Sequence, residues 1–269
     1  MPFVSTNGVN SYYETSGEGP PLLLIAGNGM DHTTFRDQTG AFGRHFRCIT
    51  YDMRGVGKSD VTVDGYDIRT MAADAFALLD ALDIGPAHVA GYSLGGAIGL
   101  EMALAAPARV ASLSLYSSYS HVAPFLRRRY DLLIKILEES TPEMWAMFST
   151  FTAFGEEYIN AHDAALEAEV QLRATRWKGP NAPSKPGLIG HYRAILSHDV
   201  LDRLDRIACP TWIAVGSSDP VTPPSYSHLM KARIPGASLR IYPGAPHRLL
   251  NFTPEFTQEA LAFLLDQRR

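Results

Sequence analysis

Apolar residues along this chain gather into short, unbroken runs: LLLIA at Leu22–Ala26, RCITY at Arg47–Tyr51 and AHVA at Ala87–Ala90, then VASLSLY at Val110–Tyr116, TWIAV at Thr211–Val215 and SLRIY at Ser238–Tyr242. Runs this short and continuous suit strands buried on both faces. Ahead of them, Phe3–Val4 and Ser11–Thr15 flank an Asn7-Gly8 turn, which predicts a hairpin. Between the runs lie segments of helical spacing. They cover Phe35–Phe42, Met71–Leu82 with Thr70 as N-cap, Leu94–Ala105 ending before Pro107, Ser225–Arg233, and Pro254–Asp266 behind Thr253. Strand and helix alternate, so the expected class is α/β: a mostly parallel, doubly wound sheet flanked by helices.

One block breaks that rhythm. From Ser120 to Leu196 no strand signal occurs, only helix-like stretches rich in Leu, Ala, Glu and aromatics, interrupted at Thr141-Pro142 and by a Pro/Gly-rich segment at 178–187. The expectation is a helical cap at 120–196, inserted after the sixth strand of a core domain made of 1–119 and 197–269.

Composition narrows the function. Twenty-four Lys and Arg against 28 Asp and Glu leave a net charge of −4, so no basic field exists to hold a phosphate backbone, and no nucleic-acid partner is expected. No apolar run reaches the roughly 18–20 residues a bilayer needs, and MPFVSTNGVN has neither a basic n-region nor an apolar h-region. No membrane association and a cytoplasmic location are the expectations. Cys48 and Cys209 each stand near the start of an apolar run, without metal-ligand spacing around them. They read as small buried hydrophobes; no metal and no cofactor are expected.

The chemistry concentrates at Gly91-Tyr92-Ser93-Leu94-Gly95. A G-x-S-x-G match is only suggestive by itself, but this one follows an apolar strand and opens a helix, the setting a nucleophile elbow requires. A serine hydroxyl attacks only when a histidine takes its proton and an acid orients that histidine. Asp219, in Gly216-Ser217-Ser218-Asp219-Pro220, and His247, in Pro243-Gly244-Ala245-Pro246-His247, follow consecutive late strands. Asp219 has an alternative reading as a turn former or helix cap, and His247 as a surface loop histidine. Open α/β sheets place their sites at the C-terminal ends of strands, which favours the catalytic reading of both. Two backbone N–H groups should face the oxyanion: that of Leu94, and that of Asn28 in Gly27-Asn28-Gly29-Met30.

On these residues the chain resembles the α/β-hydrolase fold superfamily of serine esterases, lactonases and C–C hydrolases, over nearly its whole length. Tyr51-Asp52-Met53-Arg54-Gly55-Val56-Gly57-Lys58-Ser59-Asp60 is similar to the family's D-x-R-G-x-G-x-S segment, read here as a loop-shaping element. The cap length, Cys209-Pro210-Thr211 and the helix-rich insert point toward the branch of 3-oxoadipate enol-lactonases and aminoacrylate hydrolases. Two positions depart from the family pattern. The usual His-Gly of the oxyanion loop is Ala26-Gly27, and Pro246 precedes the histidine where glycine is common. The C–C hydrolases usually carry an aromatic residue after the histidine, where this chain has Arg248.

Pocket candidates are Met30, His32, His121 and Arg248 near the elbow, with Trp145, Phe148, Phe151 and Tyr192 from the cap. Of Arg127-Arg128-Arg129 at most one can point inward, since consecutive residues do not share a helix face; a solvated face is expected for them. The expected function is hydrolysis of a small or medium carboxylic ester or lactone, with a small-molecule substrate as partner, by a monomer or homodimer. C–C or C–N cleavage by the same residues is the alternative, and a ligand-binding protein with residual activity is the reading from another class.

Overall fold

A computed structural model describes residues 2–177 and 183–267. The strands are β1 (Phe3–Thr6), β2 (Val9–Ser16), β3 (Pro21–Ile25), β4 (Arg47–Tyr51), β5 (Ala87–Tyr92), β6 (Val110–Tyr116), β7 (Thr211–Gly216) and β8 (Ser238–Tyr242). They form one sheet in the order β1-β2-β4-β3-β5-β6-β7-β8. β1 and β2 pair antiparallel through the Asn7-Gly8 turn and β2 runs antiparallel to β4. Every pairing from β4 to β8 is parallel.

The unbroken apolar runs now have a reason. Side chains alternate across a strand, so in β3 Leu23 and Ile25 belong to one buried cluster while Leu22 and Leu24 belong to the other. The first cluster joins Ile49, Val89, Leu113 and Ile213 to the helices α2 (Ile68–Ala81), α3 (Leu94–Ala105) and α8 (Pro224–Arg233). The second joins Cys48, Ala90, Tyr116 and Trp212 to α1 (Arg36–Phe42) and α10 (Phe256–Asp266), with the short α9 (Leu249–Phe252) beside them. α3 is buried along its length, in keeping with its even spread of apolar residues, whereas the amphipathic α2 keeps a polar face outward.

Between β6 and β7 the chain makes α4 (Pro124–Glu139), α5 (Pro142–Phe151), α6 (Glu156–Arg176) and α7 (Lys185–Leu196). The antiparallel bridge His121↔Asp199 and the bond from Val200 N–H to the Ser120 carbonyl (2.8 Å) tie the two ends of this insertion together. Within the Pro/Gly-rich segment, 178–182 lie outside the described residues.

Two helix starts differ from expectation. The N-cap of α2 is Asp67, whose carboxylate accepts from the N–H of Thr70, so Thr70 is the third helical residue and the recipient of the cap. Thr253 ends a helix and does not start one: it is the C-cap of α9, and α10 begins at Phe256 behind Glu255, which makes no side-chain cap bond. Pro254 thus stands in the turn between two helices, where the fixed φ of proline costs nothing.

The segment after β4 is a buried polar knot. Asp52 accepts from the N–H groups of His32 (2.7 Å) and Lys58 (2.8 Å). Ser59 donates to the Asp52 carbonyl and accepts from the Tyr12 N–H. Arg54 makes a two-pronged pair with Asp74 of α2, both bonds 2.7 Å, and Asp74 also accepts from Asn7 Nδ2. Both charges are buried, so removing one strands the other. Arg54→Met is expected to lose about 3–5 kcal/mol in urea unfolding, and pairing it with Asp74→Leu to recover a large part of that loss. Equal instability of single and double variants would show that the pair is not what the loop depends on.

Candidate active site

Ser93 occupies the turn between β5 and α3 with φ 53° and ψ −111°. A non-glycine residue held there costs on the order of 1–3 kcal/mol, so the surroundings must impose it. They do so by bonding its backbone on both sides: Ser93 N–H donates to the Tyr116 carbonyl and Ser118 Oγ donates to the Ser93 carbonyl, each at 2.8 Å. Flanking glycines are needed because a side chain at Gly95 would collide with the carbonyl oxygen of Ile25 and one at Gly91 with that of Gly95. Ser93 is 1% exposed and its Oγ has no hydrogen-bond partner among the described residues.

Asp219, 3% exposed, sits just past β7. Oδ1 accepts from the N–H groups of Val221 (2.8 Å) and Thr222 (2.9 Å), and Oδ2 from the Thr222 hydroxyl (2.9 Å). Both carboxylate oxygens also face Nδ1 of His247, at 3.0 and 2.8 Å. A carboxylate accepts only, so the proton lies on Nδ1 and the neutral ring keeps its lone pair on Nε2. His247 follows β8, is 7% exposed, and tilts against the Tyr92 ring with centroids 5.2 Å apart. Thr222, which braces the acid, was not singled out in the sequence; the Asp-Pro-Val-Thr spacing is an Asx-type turn and was its only signal.

Leu94 is the first residue of α3, so its N–H has no intrahelical acceptor. In the loop after β3, Met30 N–H closes a turn on the Gly27 carbonyl and Gly29 N–H donates to Nδ1 of His191 (3.2 Å), while Nε2 of His191 faces the Arg54 carbonyl (2.8 Å). The carbonyl needs a donor and the amide an acceptor, so His191 is the neutral Nε2–H tautomer. A histidine of the insertion thus holds the loop whose usual histidine is Ala26 here. Asn28 N–H, inside that turn, has no acceptor among the described residues.

A cavity of about 290 Å³ lies between the sheet and the insertion. The sheet side contributes Asn28, Met30, Tyr92, Val221, His247 and Arg248; the insertion contributes Tyr130, Leu133, Trp145, Leu188 and Tyr192 among others. Trp145 Nε1 donates to the Tyr192 hydroxyl (3.2 Å). Ser93 is not on the wall, but its chain neighbour Tyr92 and His247 are.

Met30, Trp145, Tyr192 and Arg248 thus line the cavity, and four other candidates do not. His32 is locked between Asp52 and Glu14 and packs on Tyr12, away from the cavity. His121 bridges to Asp199 and stacks on Tyr226. Phe148 is partly buried against the core cluster, and Phe151 is 66% exposed because the face of α5 that carries it turns outward. The expected solvated face holds for Arg127 and Arg128, but Arg129 lines the cavity. Arg173, Glu169 and Ser149 do too, and sequence reasoning missed them; the i, i+4 spacing of Glu169 and Arg173 was the available clue. Among the described residues no group of three metal-ligating side chains converges, and no helix is long and apolar enough to cross a membrane.

The strand order, the Ser93 elbow, and an acid and a histidine after β7 and β8 define the class. The chain belongs to the α/β hydrolase fold family, whose sequence model matches residues 20–250, and it is a hydrolase of that fold. It is 32% identical over 261 residues to a protein named "Putative carbamate hydrolase RutD" from Azorhizobium caulinodans, covering 97% of each chain. Among solved structures it is similar to a hydrolase from Pseudomonas aeruginosa (29% identity, TM-score 0.86, 97% of each chain). It also shares the fold of an enol-lactonase from Burkholderia xenovorans (22% identity, TM-score 0.85, 98% of this chain and 100% of that one).

Burial holds His191 at a pKa of about 4 and His198 at about 3, against the ordinary 6.5. Unfolded, both histidines bind protons that the folded chain refuses, so stability is full above about pH 6.5 and falls as pH drops toward 4. His191 alone should remove on the order of 2 kcal/mol by pH 5. Urea midpoints measured from pH 7 to pH 4.5 should fall, and fall less in His198→Phe; a flat profile would contradict neutral burial.

Proposed function

We propose that the protein hydrolyses a small or medium carboxylic ester or lactone through Ser93, His247 and Asp219. His247 Nε2 takes the Ser93 proton as Oγ bonds to the carbonyl carbon, and the N–H groups of Leu94 and Asn28 receive the oxyanion. Collapse of the tetrahedral adduct breaks the carbonyl–oxygen bond, with the leaving alkoxide taking the proton from His247. Water, deprotonated by the same nitrogen, then attacks the acyl-serine; the carboxylic acid departs and Ser93 recovers its proton. Asp219 keeps the ring oriented and stabilises its cationic form.

The observation that carries this reading is the His247 Nδ1 held by both oxygens of a fixed Asp219, with the His247 ring against Tyr92, the residue before a serine held at φ 53° whose hydroxyl has no partner among the described residues. Serine–histidine bonds in sites without substrate are commonly long and tighten when substrate enters. In this reading the insertion at 120–196 is the cap that closes the cavity over the sheet. The relatives named as carbamate hydrolases favour a second reading, in which the same serine attacks a carbamate carbonyl and a C–N bond breaks.

Steady-state hydrolysis of short p-nitrophenyl esters tests the assignment. Ser93→Ala should lower kcat by about a thousandfold or more with unchanged circular dichroism, and Asp219→Asn should lower it by a comparable factor with KM nearly unchanged. Retention of most activity in Ser93→Ala would sink it. Faster turnover of a matched carbamate than of the ester would move the substrate to the second reading.

A further inference from the structure

The cavity wall is charged in a way the proposed chemistry does not use. Three guanidinium groups, of Arg129, Arg173 and Arg248, line it against a single carboxylate, Glu169, among the described residues. Glu169 Oε1 is shared, at 2.8 Å from Arg173 Nε and 2.8 Å from Arg248 Nη1, and Arg173 also donates to Ser149 Oγ (3.3 Å). Arg129 has no carboxylate partner among the described residues, and its Nε is buried there without an acceptor; the Nε of Arg248 is likewise buried and unbonded. A chain of net charge −4 has therefore gathered an excess of positive charge around this cavity, with two guanidinium nitrogens left unsatisfied just behind its wall. Such an excess is costly when nothing answers it. Burial together with repulsion from Arg248 lowers Arg173 from its ordinary pKa, in line with a cationic cluster short of counter-charge.

From this juxtaposition we infer that the cavity binds a substrate bearing a carboxylate distinct from the bond that is cleaved, and that Arg129 and Arg173 receive that carboxylate. A planar guanidinium matches a carboxylate with two parallel N–H···O bonds, which lysine cannot supply. Arg129 brings a guanidinium without a carboxylate partner among the described residues to such a pair, its Nε reached once the side chain turns toward the ligand, and the anion completes the charge balance that Glu169 leaves open. Arg248, next in chain to His247, shares Glu169 and sets how far the positive field extends toward the reacting carbonyl.

The inference rests on the hydrolase reading only for the ester part of the ligand, and a binding experiment separates the two. In the Ser93→Ala protein, isothermal titration compares monomethyl glutarate, which carries one ester and one carboxylate, with uncharged dimethyl glutarate. The monoester should bind about tenfold tighter or more, the effect of one charge-assisted hydrogen bond, and the advantage should shrink as salt is raised. Adding Arg129→Met, or separately Arg173→Gln, should collapse the ratio between the two probes. Arg129→Met breaks no ion pair, so it remains informative if Arg173→Gln fails to fold. Equal or tighter binding of the diester, no binding of the monoester, or a ratio that survives both arginine substitutions would overturn the proposal. Labelling of wild-type Ser93 by an uncharged fluorophosphonate reads the other half. Discrimination without labelling supports the subsite and removes the hydrolase reading, whereas labelling without discrimination does the reverse.

Discussion

The elbow at Ser93 is the constraint on which the remaining structure depends. Its backbone, at φ 53° and ψ −111°, is unfavourable for a residue with a Cβ, and no local preference of the sequence would produce it. It exists because β5 and α3 are both buried and must join within a single residue. β5 lies at the centre of the sheet between β3 and β6, and α3 packs on that sheet with almost every side chain enclosed. Gly91 and Gly95 let the backbones approach, and the bonds from Ser93 N–H to Tyr116 and from Ser118 to the Ser93 carbonyl fasten the turn to β6 and the segment just after it. The same geometry presents the N–H of Leu94 unpaired at the helix start, so one strained residue places its hydroxyl and a free donor at the same turn, the arrangement that the proposed reaction uses.

The other site elements hang from that sheet in proportion to how regular their support is. Asp219 and His247 leave β7 and β8, which pair in parallel register from Trp212↔Ser238 to Gly216↔Tyr242, so the loops after them start from a common edge. Register alone would not aim the two side chains at one another. The turn that folds the Val221 and Thr222 N–H groups back onto Asp219 fixes the carboxylate, and the carboxylate then fixes the imidazole. The loop after β3 is held from the opposite direction, by His191 of α7, so the insertion is part of the scaffold of the site as well as a wall of its cavity.

How far this was legible in the sequence follows from the range of the forces involved. β4 and β6 match the apolar runs residue for residue because burial on both faces leaves a local imprint, and the edge strand β8 matches its run through the alternation of Leu239, Ile241 and exposed residues. β5 extends past its apolar run to Gly91 and Tyr92, since there the ladder to β6 carries the strand where side-chain pattern does not. Ser93, Asp219 and His247 could be marked because each follows a recognisable strand. The cavity wall could not be marked the same way. Phe148 and Phe151 carry the apolar character of pocket residues, but which side of α5 faces the sheet is set by how α5 packs on α4 and α6, and that packing places Trp145 inward and Phe151 outward. Arg129 shows the converse. Its neighbours Arg127 and Arg128 are exposed, and only the helix rotation about the buried Leu126, Tyr130 and Leu133 decides that the third arginine turns in.

That division has a functional logic. Ser93, Asp219 and His247 follow strands and one helix start whose positions are over-determined by two buried clusters, so their geometry tolerates little change. The residues on the other side of the cavity sit on four helices whose two ends are tied to each other by one bridge and which reach the loop after β3 through contacts such as that of His191. Substitution on an inward helix face, as at Arg129 or Arg173, can alter what the cavity accepts without touching the elbow. Charge inside a small, partly desolvated cavity is the strongest lever available for such a change, because an unmatched guanidinium there is costly and a matched one is favourable. One hydrolase scaffold can therefore hold its chemistry constant while its insertion selects among ligands by charge and shape, and in this chain the proposed selection rests on arginines set against a single glutamate among the described residues.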